Sequence, residues 1–495
     1  MKRHAVIPLA LVLITCTLLL IPETESTSAL QAIQQPRRKS FAWNQDAFWH
    51  ALEKRFVEAR RAGCEHIGST ADSLMSSAGK ALDRIAGQRL QPGDSAFVKV
   101  EDYIFGIAPL VAACPDRFPA FAGMVAHSRE VIKRQSEHFD MDSAETRVRL
   151  YRLLYGARAA AEEIQLQLPR EFKVEALTGG TDEPSVTPWA SILGVKIHSG
   201  DILVSRGGAP TSALIARGND FPGNFSHVAL VHVDPETHLA RIIEAHIERG
   251  VTVSTMDDYL NDKKLRVMVL RLRSDLPALR ADPMLPHRAA ELALQSASRR
   301  HIPYDFAMDF QNSDKWFCSE VASFAYKSVG VRLWMGLSSI SSTGLRSWLA
   351  AFGVRNFETQ EPSDLEYDPQ LSVVAEWRDP ETLRKDHFDN AVTEAMLEGA
   401  EAGDRLTYTW YLLPAARILK AYSSLLNLFG KVGPIPEGMP AAAALRSKFY
   451  SGKHDAIKQE LTLLAQDFER HNGYPPPYWE LVQLARTGKH DVEAR

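Results

Sequence analysis

The sequence predicts an α+β fold in which a largely antiparallel sheet lies between helical regions. The chain has 495 residues, of which 45% are apolar and 24% are charged, an ordinary globular balance, and this length suits about two or three domains. Residues 41–168 and those beyond residue 345 have helical periodicity, whereas residues 200–272 hold short β-type runs separated by turns. Strands followed by helices within one region are typical of an α+β domain.

The amino terminus has the order of features found in secretory signals. Lys2, Arg3 and His4 precede an apolar run from Ala5 to Pro22, and small and polar residues follow up to Ala29. We expect cleavage after Ala29. An uncleaved membrane anchor is the alternative, because the run is barely long enough to span a bilayer. In both cases the rest of the protein is expected to be exported, either into the periplasm or anchored in a membrane and facing it.

Composition divides the chain into regions. A Gly-containing linker ends the first helical region near residue 180, and short β-type runs follow it. The predicted regions are a signal or anchor at 1–29, a helical domain at 41–177, an α+β domain at 188–350 and a C-terminal helical region at 380–490. With 57 basic and 61 acidic residues the net charge is −4, so we expect no nucleic-acid partner.

Residues 316–326 are predicted to form a buried helix with a cysteine in its first turn. Phe317 and Val321 follow helical spacing, and residues 312–314 upstream offer N-cap side chains. Cys318 would then lie where unpaired N–H groups and the helix dipole favour a thiolate, so we expect a low pKa for this thiol. The alternative is a core cysteine, since cysteine is among the most buried residue types.

Cysteine usage singles out the same residue. If the leader is removed with Cys16, three cysteines remain, and this is too few for a disulfide scaffold. Cys64 and Cys114 lie in one helical region and could pair, which would leave Cys318 as the free thiol. A free thiol in an exported protein is a candidate nucleophile.

His227 and Glu244 are a candidate base and its orienting partner. Two predicted strands, 226–233 and 240–245, can form an antiparallel hairpin. A four-residue loop between them pairs His227 with Glu244, with Cβ atoms about 5 Å apart. The carboxylate could then fix the tautomer of the imidazole and leave its other nitrogen free to act as a base toward a thiol.

A zinc site is an alternative use of the same residues. His232 and His246 lie close in sequence to His227 and Glu244. Strand alternation places His232 on the opposite face, however, and the spacing matches no helical or knuckle motif for zinc. We therefore predict neither a metal nor another cofactor.

Several short stretches occur in an order that resembles a known family. The resemblance is to the YiiX/YebB-like branch of the NlpC/P60 cysteine hydrolases, in which the papain-like fold is circularly permuted and the histidine precedes the cysteine. It covers residues 190–345, which lie between the two helical regions. The stretches that carry it are Ser199–Leu203, Ser226–Val228, Ile243–Ala245 followed by Gly250–Val251, Val269–Arg271, Pro303–Phe306 and Phe317–Glu320.

The resemblance implies a catalytic role for three residues: Cys318 as nucleophile, His227 as base and Glu244 as the acid that orients it. It also implies cleavage of an amide or ester through an acyl-enzyme, with backbone N–H groups stabilising the oxyanion. Tyr304 and Asp305 match a family motif near the site and are candidate substrate-binding residues.

The predicted function is an exported cysteine hydrolase that cleaves an amide in a peptide, a peptidoglycan stem or a fatty-acyl amide. A lipid acyltransferase or esterase of the same permuted type is one alternative. A non-catalytic binding protein that retains a papain-like module is the other, and the intact set of His227, Glu244 and Cys318 argues against it. Membrane association stays open. The Gly-rich loop 206–224 is longer than the family pattern, so the sequence leaves the substrate undetermined.

Overall fold

The computed structural model describes residues 47–169 and 171–495, so the predicted signal or anchor at residues 1–29 lies outside the described residues. The fold mixes helices with a central sheet, and this confirms the predicted fold class. Among the helices of the described ranges, none combines the length and the apolar character needed to cross a membrane.

The amino-terminal part of the described chain is helical. Its helices bury regularly spaced apolar side chains such as Phe97, Val100 and Ile104. The helix that carries them begins where the Asp94 carboxylate accepts a hydrogen bond from the N–H of Ala96. The helices are α1 (Ala47–Ala62), α2 (Cys64–Ala86), α3 (Ser95–Ala112), α4 (Phe118–Ser136), α5 (Ala144–Leu150) and α6 (Gly156–Gln167), with a π-helical turn (Tyr151–Tyr155) before α6.

One disulfide closes this helical part. Cys64, the first residue of α2, is bonded to Cys114, which follows α3. Cys318 is the free cysteine of the described residues, and it is buried. The pairing that the sequence left open is therefore present in the structure.

A seven-stranded antiparallel sheet forms the centre of the molecule. The strands of the chain are β1 (Leu177–Gly179), β2 (Trp189–Ile192), β3 (Val195–His198), β4 (Ile202–Gly207), β5 (His227–Val233), β6 (Ala240–His246), β7 (Gly250–Thr255), β8 (Lys264–Leu272), β9 (Ser338–Ser339), β10 (Glu358–Thr359) and β11 (Leu371–Trp377). The order in the large sheet is β1-β11-β8-β4-β5-β6-β7, while β2 pairs with β3 and β9 with β10.

The two faces of the sheet bury different neighbours. Alternate residues of β5 point to opposite faces: Val228 packs with two helices, whereas Ala229 packs with the β2–β3 hairpin. The helices of this part are α7 (Pro210–Arg217), α8 (Met256–Asn261), α9 (Pro277–Ala281), α10 (Leu285–Arg299), α11 (Cys318–Ser328) and α12 (Thr343–Phe352). Helices α10 and α11 are the two that cover the Val228 face.

Four helices complete the chain. Val392, Met396, Ile457 and Val482 come from three of them and form a core with residues of α12. The fourth, α14, contributes to a separate small cluster. The helices are α13 (Pro380–Glu401), α14 (Leu413–Leu428), α15 (Ala441–Asn472) and α16 (Tyr478–Ala494).

A buried network of charges joins the three parts of the chain. Arg266 of β8 lies 2.7 Å from the carboxylate of Glu162 on α6 and 2.6 Å from that of Asp386 on α13. Arg158 donates to Glu162 at 2.8 Å, and Arg206 of β4 lies 3.2 Å from Asp386. All five side chains are buried. The nearby guanidinium groups hold the pKa of Glu162 well below its usual range, although burial alone would raise it.

The sheet extends beyond the predicted α+β range of residues 188–350. Beyond residue 345 the sequence pattern predicts only helices, and this prediction is wrong, because β11 lies inside the sheet between β1 and β8. Leu371 of β11 pairs with Leu272, and Trp377 pairs with Leu177. The partners lie far away in sequence, so no local pattern signals the pairing.

Removal of the disulfide should weaken the helical part of the protein. The bond spans 50 residues of sequence, and the chain entropy of such a loop corresponds to about 4 kcal/mol. We expect C64A/C114A to lower the unfolding temperature of helices α1–α6, measured by hydrogen exchange during thermal unfolding. Wild-type protein in reductant should show the same loss. An unchanged unfolding temperature in both samples would contradict the structural role.

Candidate active site

The candidate residues meet where strand β5 and helix α11 begin. His227 is the first residue of β5 and Cys318 is the first residue of α11. The Cys318 thiol lies 4.0 Å from the carbonyl oxygen of Ser226, and it also faces the backbone N–H of Val228. The thiol is thus held against the two residues that flank His227.

The imidazole of His227 is bonded to a buried carboxylate. Its Nε2 atom lies 2.8 Å from Oε2 of Glu244. The His227 side chain is 21% exposed, whereas that of Glu244 is 3% exposed. Because this bond engages Nε2, Nδ1 is the nitrogen left to exchange a proton with a thiol.

The hairpin register differs from the predicted one by two residues. Glu244 is paired with Ala229 and not with His227, so the predicted pairing is wrong. The loop is longer because the Asp234 carboxylate accepts N–H bonds from the residues that follow it, and pairing in β6 starts at Ala240. A shift of two residues keeps each side chain on its face, so the carboxylate still reaches the imidazole on a diagonal.

Glu244 also contacts a second histidine. Its Oε1 atom lies 3.2 Å from Nε2 of His246 and accepts a hydrogen bond from Ser254 at 3.0 Å. Burial alone would raise the pKa of Glu244, but the bonds from His227 and His246 hold it well below its usual range. Burial likewise opposes a charge on His246, yet Glu244 raises the pKa of His246 above its ordinary value. The carboxylate is therefore ionised at neutral pH and shared between two imidazoles.

The histidines named for a zinc site are divided between the two faces of the sheet. His246 lies with His227, and their ring centres are 5.7 Å apart. His232 instead stacks on His287 of α10, with ring centres 5.4 Å apart. Across residues 47–169 and 171–495, no group of three or more His, Cys, Asp or Glu side chains is arranged to hold a metal ion.

The surroundings of the thiol differ from the predicted ones. Cys318 is 6% exposed, and burial raises the pKa of its thiol to about 12, although N–H groups of Val228 and Ser319 favour the thiolate. The expectation of a low pKa is therefore wrong for this conformation, because desolvation outweighs the helix N-terminus. The thiol is protonated at neutral pH and needs a base to become a nucleophile.

Glu361 is a neighbour of the thiol that no sequence pattern indicates. It is buried, and its charge would disfavour the thiolate of Cys318. Its Oε2 atom has no hydrogen-bond partner among the described residues, and burial raises its pKa well above the ordinary value. Ser363 places this segment over the start of β5, since its hydroxyl accepts the N–H of Phe225 at 3.0 Å. Only this tertiary contact, between segments far apart in sequence, shows that Glu361 lies near the thiol.

Helix α11 begins at Cys318 because of a carboxyl group on its own first turn. Glu320 accepts a hydrogen bond from the N–H of Phe317 at 2.8 Å. The prediction of an N-cap within residues 312–314 is wrong, since Asn312 instead accepts the N–H of Asp314 in a separate turn. Glu320 is buried, and burial raises the pKa of its carboxyl to about 9. Glu320 therefore keeps its proton at neutral pH, and this protonated carboxyl fixes the start of the helix that carries the cysteine.

Tyr304 and Asp305 lie beside the cysteine helix. The N–H of Asp305 donates to the carbonyl of Trp316 at 3.2 Å. The Asp305 carboxylate is buried and accepts N–H bonds from Ala307 at 3.0 Å and Asp309 at 2.6 Å, which shapes the turn after it. Burial raises the pKa of Tyr304 well above its ordinary value, and the adjacent Cys318 adds to this. A role in substrate binding stays a prediction for both residues.

Comparisons with known proteins identify the type of this domain. Residues 196–375 match the model of a family described as a permuted papain-like amidase enzyme, YaeF/YiiX, C92 family. The crystal structure of metalloprotein yiiX from Escherichia coli O157:H7 aligns with 37% of this chain and 98% of that chain, at 18% identity and a TM-score of 0.29. No curated protein matches. The resemblance to the YiiX-like permuted papain family is confirmed for this segment, and the enzyme class is that of a cysteine-type amidase.

The buried thiol should react slowly with small electrophiles. Because burial raises its pKa to about 12, we expect iodoacetamide to modify Cys318 at pH 7.5 at least ~100-fold more slowly than in the unfolded chain. The rate should rise about tenfold for each pH unit from 7 to 9. Peptide mass spectrometry would follow Cys318 separately from the other cysteines. A rate that is already constant near pH 7 would show a low-pKa thiolate instead.

The buried Glu320 carboxyl should make stability fall as the pH rises. In the unfolded chain it loses its proton near its ordinary pKa, 4.5, whereas in the folded protein it keeps it up to about 9. Stability is therefore lost progressively between these two values as pH increases. E320Q should be increasingly more stable than wild type from pH 5 to pH 9, because an amide oxygen can still accept the Phe317 N–H. A difference in Tm that does not change with pH would contradict this assignment.

Proposed function

We propose that this protein hydrolyses an amide bond with Cys318 as nucleophile, His227 as base and Glu244 as the group that orients His227. The observation that carries the proposal is the 2.8 Å bond between His227 and Glu244 next to a thiol held by the backbone on either side of His227. The match to an amidase family over the same residues supports the reaction class.

The reaction follows from the two nitrogens of the imidazole. Nδ1 of His227 takes the proton of the thiol while the sulfur attacks the amide carbonyl carbon. The tetrahedral intermediate collapses by breaking the C–N bond, and the imidazolium gives its proton to the departing amine. Water, deprotonated by the same imidazole, then attacks the thioester and releases the acid and the thiol. Glu244, already ionised, stabilises the imidazolium at both stages.

The start of α11 supplies groups for the developing oxyanion. The first N–H groups of a helix have no acceptor within the helix, and Cys318 occupies the first position of α11. Its backbone N–H is our candidate donor for the negative oxygen. Because Cys318 is only 6% exposed, we infer that a substrate carbonyl reaches its thiol after a local rearrangement at the site.

We infer that the enzyme acts outside the cytoplasm. The apolar run at residues 5–22 supports export, and the Cys64–Cys114 disulfide suits an oxidising compartment.

The amide that is cleaved belongs to a peptide, a peptidoglycan stem or a fatty-acyl chain. The second candidate function, transfer or hydrolysis of a lipid acyl group, would use the same thioester and is favoured by the exposed apolar face of α14.

Three substitutions test the assigned roles. With an acyl-amide reporter we expect C318A to lower kcat by about 1,000-fold or more, since no nucleophile remains. H227A should have a similar effect, whereas E244Q should keep the fold and some turnover, because an amide oxygen can accept the imidazole N–H. E236Q, an exposed change in the same hairpin, is the matched control and should behave as wild type.

A chelator distinguishes this mechanism from the metal alternative. Turnover by the wild type should survive EDTA, because no step uses a metal. If C318A retains wild-type turnover and EDTA abolishes it, the thiol mechanism is wrong and a metal site built on His227, Glu244 and His246 replaces it.

A separate panel of muropeptides and labelled acyl lipids would distinguish the amidase from the acyl-transfer function.

A further inference from the structure

Helix α14 has its large apolar side chains on the outside. They recur along one face of the helix and continue into the residues before and after it. Their exposed fractions range from 51% to 81%. The α14 surface consists of Trp410, Ile418, Tyr422, Leu425, Leu428 and Phe429.

The inner face of α14 is held by a small apolar cluster and by polar contacts. Leu413 and Ala416 pack with Ile435 and Ala442. Ala416 and Ser423 are buried, and the Ser423 hydroxyl accepts the N–H of Ile435 at 3.0 Å. Lys420 donates to the carbonyl of Pro436 at 2.6 Å. These inner contacts set the orientation of the helix, and the large apolar residues of its outer face remain exposed. Contiguous apolar patches of this kind mark interaction sites.

Charge and side-chain type indicate what that partner is. Residues 405–436 contain four basic residues and no acidic one, and Arg405 and Lys431 are exposed beyond the two ends of the helix. Tryptophan and tyrosine, each with an apolar ring and a polar edge, are enriched at membrane–water interfaces. The helix has 16 residues, so it is about 24 Å long and too short to span a bilayer.

We propose that the α14 surface binds an anionic lipid membrane, with α14 lying in the plane of the interface. A helix with an apolar face and flanking basic residues binds in this way through burial of its apolar face and attraction to anionic headgroups. This binding is separate from the proposed catalysis and does not require it.

The α14 surface is connected to the candidate active site. The loop after α14 carries Glu437, whose carboxylate lies 2.8 Å from Nε2 of His301. Gly438 packs so closely on Phe306 that an added Cβ would lie 2.6 Å from the ring. His301 and Phe306 flank Tyr304, which lies beside Cys318. Two contacts therefore join the loop after α14 to the segment beside Cys318.

The test measures contact of Trp410 with lipid. The full chain is mixed with vesicles of phosphatidylglycerol and brominated phosphatidylcholine, since bromine quenches nearby tryptophan. We expect wild type to lose a larger share of its emission than W410F, and to partition more weakly onto vesicles without phosphatidylglycerol. Attachment through the amino-terminal run alone would quench wild type and W410F equally and would overturn the proposal.

A matched pair of variants tests the rest of the surface. I418Q/L425Q/L428Q should lower the quenching and weaken partitioning by at least ~10-fold. V186Q/L193Q/L239Q changes three equally exposed apolar residues elsewhere and should bind as wild type does. If the first variant instead abolishes self-association while vesicle binding is unchanged, the α14 surface joins two copies of the chain and the proposal is wrong. C318A should bind vesicles normally, so failure of the catalytic proposal would be seen separately.

Discussion

The buried contacts of Arg266 with Glu162 and Asp386 are the constraint on which the arrangement of this protein depends. One guanidinium from the central sheet holds a carboxylate from the amino-terminal helices and another from the C-terminal helices. Loss of one partner of such a buried group costs about 3–5 kcal/mol, because the remaining charge is left uncompensated. Loss of any one member should therefore weaken the packing of the three parts against one another. A set of buried ion pairs favours one packing arrangement over others, even where apolar residues at the same positions would stabilise the fold equally well.

The same network reaches the neighbourhood of the candidate catalytic residues. Arg206, which contacts Asp386, follows Ser205 on β4, and Ser205 is paired with His227. The strand end that carries the imidazole is therefore bordered by a strand whose own end is tied to the C-terminal helices. A flanking helical region can in this way influence the geometry of the base without touching it. The helical parts would then have a mechanical role in the proposed mechanism.

Local patterns predict the site better than they predict the sheet. His227 and Glu244 share a face because side chains alternate with a period of two, and a register error of two residues leaves that relation intact. Strand β11 is different, since its hydrogen-bond partners come from strands far away in sequence. The pKa of Cys318 is also beyond local reasoning, because the segment with Glu361 that adjoins it is positioned only by tertiary contacts. The position of Cys318 at a helix N-terminus predicted a thiolate, but burial favours the protonated thiol.

The burial of Cys318 has a chemical benefit in the oxidising compartment where we propose that the enzyme acts. Oxidation to sulfenic acid and exchange with disulfides both proceed through the thiolate. A thiol whose pKa is raised to about 12 by burial exposes almost none of that form between turnovers. In the proposed mechanism, the nucleophile would therefore be protected from oxidants that form the Cys64–Cys114 bond. Burial would in this way protect the Cys318 thiol chemically in its resting state.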